Sequence, residues 1–88
     1  MKSDSGYRVV QAGETFSLKE VVAGTSFAIT PSAGASMTGQ YSVSAIGNYI
    51  PCEFGTISQQ FVTTIDGACF DLQLTAAGGP VTVEWGAE

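Results

Sequence analysis

The run from Phe61 to Trp85, FVTTIDGACFDLQLTAAGGPVTVEW, constrains the fold more than any other stretch, because apolar and polar residues alternate on both sides of two turn signals. Asp66-Gly67 is a preferred pair for a type I′ hairpin turn, in which both positions take φ > 0. That turn sets Ile65 opposite Ala68, Thr63 opposite Phe70 and Phe61 opposite Leu72, and directly opposed residues share a face. The connection Ala76-Ala77-Gly78-Gly79, closed by Thr75 and Pro80, then sets Leu74 opposite Val81, Leu72 opposite Val83 and Phe70 opposite Trp85. The expectation is a three-stranded antiparallel sheet. Its core face carries Phe61, Ile65, Ala68, Phe70, Leu72, Leu74, Val81, Val83 and Trp85, while Val62, Thr64, Cys69, Asp71, Gln73, Thr82 and Glu84 point away.

The earlier chain extends the pattern. Residues 1–6, MKSDSG, are polar and rich in small residues, and read as a flexible N-terminal arm before a single domain over residues 7–88. Tyr7 to Val10 starts a strand. Thr15 to Leu18 alternates with Phe16 and Leu18 on one face, and Lys19 to Ala23 reads as a loop or strand extension. Ser26 to Thr30 is a short strand with Phe27 and Ile29 inward, stopped by Pro31. Met37 to Ala45 places Met37, Tyr41, Val43 and Ala45 on one side and uncharged Thr38, Gln40, Ser42 and Ser44 on the other. Ile46 to Gly55 is the longest irregular connection, its Tyr49 and Phe54 partly exposed. With about seven to eight short strands, turn signals every eight to twelve residues and no convincing helix, the fold class is all-β: a small antiparallel β-sandwich or jelly roll.

Composition narrows the function. All three cations, Lys2, Arg8 and Lys19, fall in the first nineteen residues, and the net charge is −5. A nucleic-acid reader needs a basic stripe to neutralise phosphates, so nucleic-acid binding is not expected. No run is apolar for the roughly twenty residues of a membrane span, nor is there a signal-like segment, so a cytosolic origin and no membrane partner are expected. Only 12% of residues are charged, about half the usual share, which favours contact with other protein surfaces, including self-association. Cys52 and Cys69 read as reduced thiols, at least one of them buried, with a disulfide as the alternative.

The chain has no histidine, which removes Ser-His-Asp and Cys-His arrangements and the usual zinc sets. The predicted register opposes Asp71 to Glu84. A carboxylate dyad is the sharp reading of that pair; an exposed pair tolerated by water, or paired across an interface with a partner's Lys or Arg, is the bland one, and a metal-ion contact stands between them. Gly78-Gly79 joins two strands and so offers no phosphate-binding loop. No catalytic residue, cofactor or metal is expected.

The segment ITPSAGASMTGQYSVSA followed by the terminal ACFDLQLTAAGGPVTVEW resembles a group of small tailed-phage virion proteins, in which a central strand and a closing glycine-turn unit stand where Gln40–Ser44 and Ala68–Glu84 stand here. Asp71 and Gln73 lie where such relatives often carry a basic residue. The resemblance implies a non-enzymatic structural protein of the virion, synthesised in the host cytoplasm. It implies a capsid decoration or cement protein on the major capsid protein or other virion proteins, and favours a homotrimer. The candidate docking residues are Lys2, Arg8 and Lys19. The alternative is a tail or fibre adhesion module, glycan- or receptor-binding, that uses Tyr49 and Phe54 in the loop from Asn48 to Phe54.

Overall fold

The computed structural model describes residues 5–86, which form strands joined by turns and loops without a helix among them. The strands are β1 (Ser5–Val10), β2 (Thr15–Val21), β3 (Ser26–Pro31), β4 (Ser36–Ser42), β5 (Ile50–Pro51), β6 (Phe61–Thr64), β7 (Cys69–Ala77) and β8 (Val81–Gly86). They make two antiparallel four-stranded sheets, a first sheet ordered β1-β8-β3-β6 and a second ordered β2-β7-β4-β5. The expected all-β sandwich is therefore found, and its strand order is that of a jelly roll.

One regularity generates this order. In β1–β8, β2–β7, β3–β6 and β4–β5, the two numbers of every pair add to 90 or 91, as in Ser5 with Gly86, Thr15 with Thr75, Ser26 with Thr64 and Gln40 with Pro51. The chain is a single long hairpin, bent back near residue 45. Its two arms are wound together so that successive pairs fall alternately into the two sheets.

The three-stranded sheet expected at the C-terminus does not form. β6 and β8 lie in the first sheet and β7 in the second, and no two of the three pair with each other. Neither Asp66 nor Gly67 has positive φ, so no type I′ turn is present; the segment is an arch that carries the chain across the core. Alternation specifies which side of a strand is apolar but not which strand lies beside it. Leu72, Leu74, Val81 and Val83 accordingly face the core as expected, but across the sandwich, and Phe61, Ile65 and Trp85 pack at its margin.

Four further expectations are revised. Ser5 and Gly6 belong to β1 and not to an arm; a Cβ on Gly6 would stand 2.7 Å from the Trp85 indole, whose ring needs that space. β4 ends at Ser42, leaving Val43 and Ala45 exposed. The irregular stretch contains the short strand β5. Finally, Cys69 joins the core, whereas Phe70 does not. Here both paired strands break phase together. Leu18 and Val21 pack inward with Lys19 and Glu20 outside, opposite Leu72 and Cys69 inward with Asp71 and Phe70 outside. Glu20 takes φ 53°, the one positive value for a non-glycine among the described residues, and absorbs the kink.

Candidate functional site

The five residues singled out for partner contact do not form one site. Lys2 lies outside the described residues. Arg8 is on edge strand β1, its guanidinium 5.2 Å above the Phe16 ring, which in turn packs against Trp85 with centroids 5.3 Å apart. A charged residue directed inward on an edge strand discourages strand addition there. Lys19 and Tyr49 meet over the outer face of the second sheet, joined through Asp71. Phe54 lies toward the opposite margin, 5.6 Å from the Phe61 ring.

Asp71 lies on the expected face but not in the expected environment. Expected outside, it is on the outer face but has no exposed surface, because Tyr49 folds back from the hairpin bend to cover it. Ser17 and Tyr49 hydroxyls donate to its two carboxylate oxygens, Lys19 Nζ approaches at 3.1 Å, and Gln73 Nε2 donates at 3.3 Å. Burial opposes ionisation of this carboxyl. The hydrogen bonds from Ser17, Tyr49 and Lys19, with the lysine's charge, outweigh burial and hold it below the ordinary carboxylate range. The same bond raises Tyr49, with desolvation and the Asp71 charge adding to it, so the phenol keeps its proton. A carboxylate held in this way is a fixed anion at neutral pH. It fastens the bend of the long hairpin to the middle of the second sheet.

The carboxylate dyad is overturned. Asp71 and Glu84 are in different sheets, and each lies on the outer face of its own, so the sandwich separates them. The polar groups of the second sheet's outer face satisfy one another: Thr15 bonds Thr75 at 2.9 Å and Gln40 Nε2 donates to Gln73 Oε1 at 2.8 Å.

The outer face of the first sheet differs in kind. Registers align Tyr7, Glu84, Ala28 and Val62 in one row, Val9, Thr82 and Thr30 in the next, and Ser5, Gly86, Ser26 and Thr64 in the third. Glu84 is the single charged side chain in these rows. Tyr7, Val9 and Val62 are 74%, 44% and 68% exposed, large values for apolar side chains on regular strands. Alternation at Val62, Thr82 and Glu84 gave part of this face in advance; its continuation through β1 and β3 depends on pairings the sequence did not disclose.

Between the sheets, on the side of β5 and β6, lies a cleft of about 620 Å³. It is open because β5 has two residues and β6 four, too little strand to close that margin. Apolar side chains of β3, β6 and β7 line it, with Phe54 and both cysteines. Gly39 lacks the Cβ that would stand 2.9 Å from the Phe54 ring and 3.1 Å from Cys52 Sγ, so these two side chains pack across β4. Cys52 and Cys69 are free thiols, the latter buried as expected of at least one. Burial, with the neighbouring Cys69, pushes Cys52 up to about 11, and burial with the charge of Asp71 raises Cys69. Both are therefore neutral near pH 7 and poor nucleophiles. Compared with protein-family models, curated proteins and solved structures, the chain matches none of them.

Proposed function

We propose that this chain is a non-enzymatic assembly protein that packs the outer face of its first sheet against a larger protein surface, as a capsid decoration or cement protein on the major capsid protein of a virion. The observation that carries the reading is that face: rows of Ser, Thr, Tyr, Val and Ala with Glu84 the single charge. Of the seven exposed large apolar side chains among the described residues, Tyr7, Val9 and Val62 share this one flat strand face, whereas Val43, Ile46, Tyr49 and Ile50 lie around the bend and β5; apolar side chains on a regular surface mark a place where protein packs on protein. The jelly roll is compatible with this role but also serves lectins and cupins, so the fold alone selects no function. The resemblance of Gln40–Ser44 and Ala68–Glu84 to small tailed-phage virion proteins favours a virion shell as that larger surface. On a repeating lattice, many modest contacts suffice, which suits a small domain, and a trimer would multiply them further.

Docking through Arg8 and Lys19 receives less support than docking through the face. Lys19 is paired with Asp71 and Arg8 lies over Phe16, so reversing either charge disturbs the domain itself. The test uses particles of the chain's source assembled without it. Added chain should co-sediment in fixed ratio to the shell protein, counted by quantitative mass spectrometry. Val62→Lys combined with Tyr7→Asp should abolish co-sedimentation while circular dichroism stays unchanged. Undiminished binding by that double variant would overturn the assignment of the face, and absence of the native chain from the particles would overturn the virion reading.

A further inference from the structure

The assembly reading leaves the cleft between the sheets without a role. We infer that it is a binding site for a small hydrophobic cation, an aryl- or alkylamine with an apolar body and one protonated nitrogen. Its volume of about 620 Å³ falls in the range of small-molecule sites, which are apolar pockets carrying a few polar groups at fixed places. Half-buried Tyr41, Cys52, Phe54, Phe61 and Ile65 give its surface, over a base of the buried Phe27 and Ile29 of β3 and Leu72 and Leu74 of β7. The missing Cβ of Gly39 lets Phe54, Cys52 and Leu74 pack down onto β4, and a side chain there would push these lining residues into the cleft.

Charge selects the class of ligand. The carboxylates that line the cleft, Glu53 and Asp66, are both on exposed segments, and among the described residues no lysine or arginine lines it. Arg8 and Lys19 sit on β1 and β2, the strands at the far ends of the two sheets. The thiols inside are neutral. An apolar anion would meet two carboxylates and no cation of the described residues, whereas an amine whose body fills the cleft brings its charge to the rim, where low dielectric on one side strengthens attraction. Thr63 adds a polar residue at the same margin.

The test is a titration of the full chain, followed by backbone amide NMR, with three ligands of one shape: tryptamine, the alcohol tryptophol and the anion indole-3-propionate. Tryptamine should give saturable shifts confined to β3, β6, the start of β7 and residues 52–54. Tryptophol should bind about tenfold more weakly, and the anion more weakly still. Glu53→Gln with Asp66→Asn, both exposed and without structural consequence, should bring the amine down to the alcohol. Equal affinity for all three ligands, retention of the amine preference in the double variant, or no saturable shift with millimolar tryptamine would each overturn the inference. None of these outcomes bears on the outer face of the first sheet, so the two proposals fail separately.

Discussion

At the scale of single residues, Asp71 and Cys52 show what burial does to an ionisable group with and without donors. Asp71 has two hydroxyls and an ammonium directed at it. Asp71→Asn removes the charged acceptor from these bonds and should destabilise the chain by about 2–3 kcal/mol in urea unfolding at neutral pH. The folded carboxyl lies below its ordinary 3.8, so its contribution is complete above that value and is lost as pH falls through the lower folded one. The gap between the native chain and the variant should therefore close in acid. A gap that persists there would mean that Asp71 acts by shape and not by charge. Cys52 has no such donors, and its thiol rises from 9.0 to about 11. A raised thiol contributes stability below pH 9.0, where both states are protonated at that group, and loses it as pH climbs toward 11 and the unfolded chain ionises first. Native Cys52 should carry roughly a hundredfold less thiolate than an ordinary cysteine, so alkylation should be slow until urea is added. Neither residue was legible in the sequence. Tyr49 lies 22 positions from Asp71 and nothing local announces their bond.

At the scale of elements, strand positions were legible and strand neighbours were not. Phe27 and Ile29, Leu72 and Leu74, Val81 and Val83 are buried where alternation put them. The same alternation fits a hairpin or an arch, because in either case the apolar side faces a core. Asp66-Gly67 carried the wrong choice, since a good turn pair permits a type I′ turn without compelling it. Two alanine substitutions separate the cases. Gly67 has φ below zero and open space around its missing Cβ, so Gly67→Ala should alter stability by less than about 0.5 kcal/mol. In a type I′ hairpin the same change would cost more than about 1 kcal/mol. Gly78 is the contrast: its φ is 77° and a Cβ would lie 2.5 Å from the Gly34 carbonyl oxygen, where the β7–β8 connection rests on the β3–β4 turn. Gly78→Ala should cost about 2–3 kcal/mol in thermal or urea unfolding. Comparable losses at the two glycines would contradict the arch.

At the scale of the whole molecule, the constant register sum means that the pairs are nested, each farther apart along the chain than the one inside it. β4 and β5 meet across the bend itself, through Tyr41 with Ile50, whereas β1 and β8 join Ser5 to Gly86. Loop-closure entropy grows with separation, so the outer pair is costly to form alone and cheaper once the inner pairs have brought the arms together. A topology dominated by distant pairings folds slowly, in roughly milliseconds to seconds. The order of closure can be read from two core truncations that leave the fold's surface untouched. Leu74 on β7 lies between Phe16 of β2 and Gly39 of β4, the strand that leads into the bend, and Val83 on β8 lies between β1 and β3; both are buried. Leu74→Ala and Val83→Ala should each destabilise by about 2–4 kcal/mol. If the roll closes outward from its bend, Leu74→Ala slows refolding, whereas Val83→Ala leaves refolding nearly unchanged and accelerates unfolding. The reverse partition would place the nucleus in the first sheet, with β1, β8 and β3 assembled before the bend. The tie between Tyr49 and Asp71 would then be among the last contacts made and not among those that set the register for the rest.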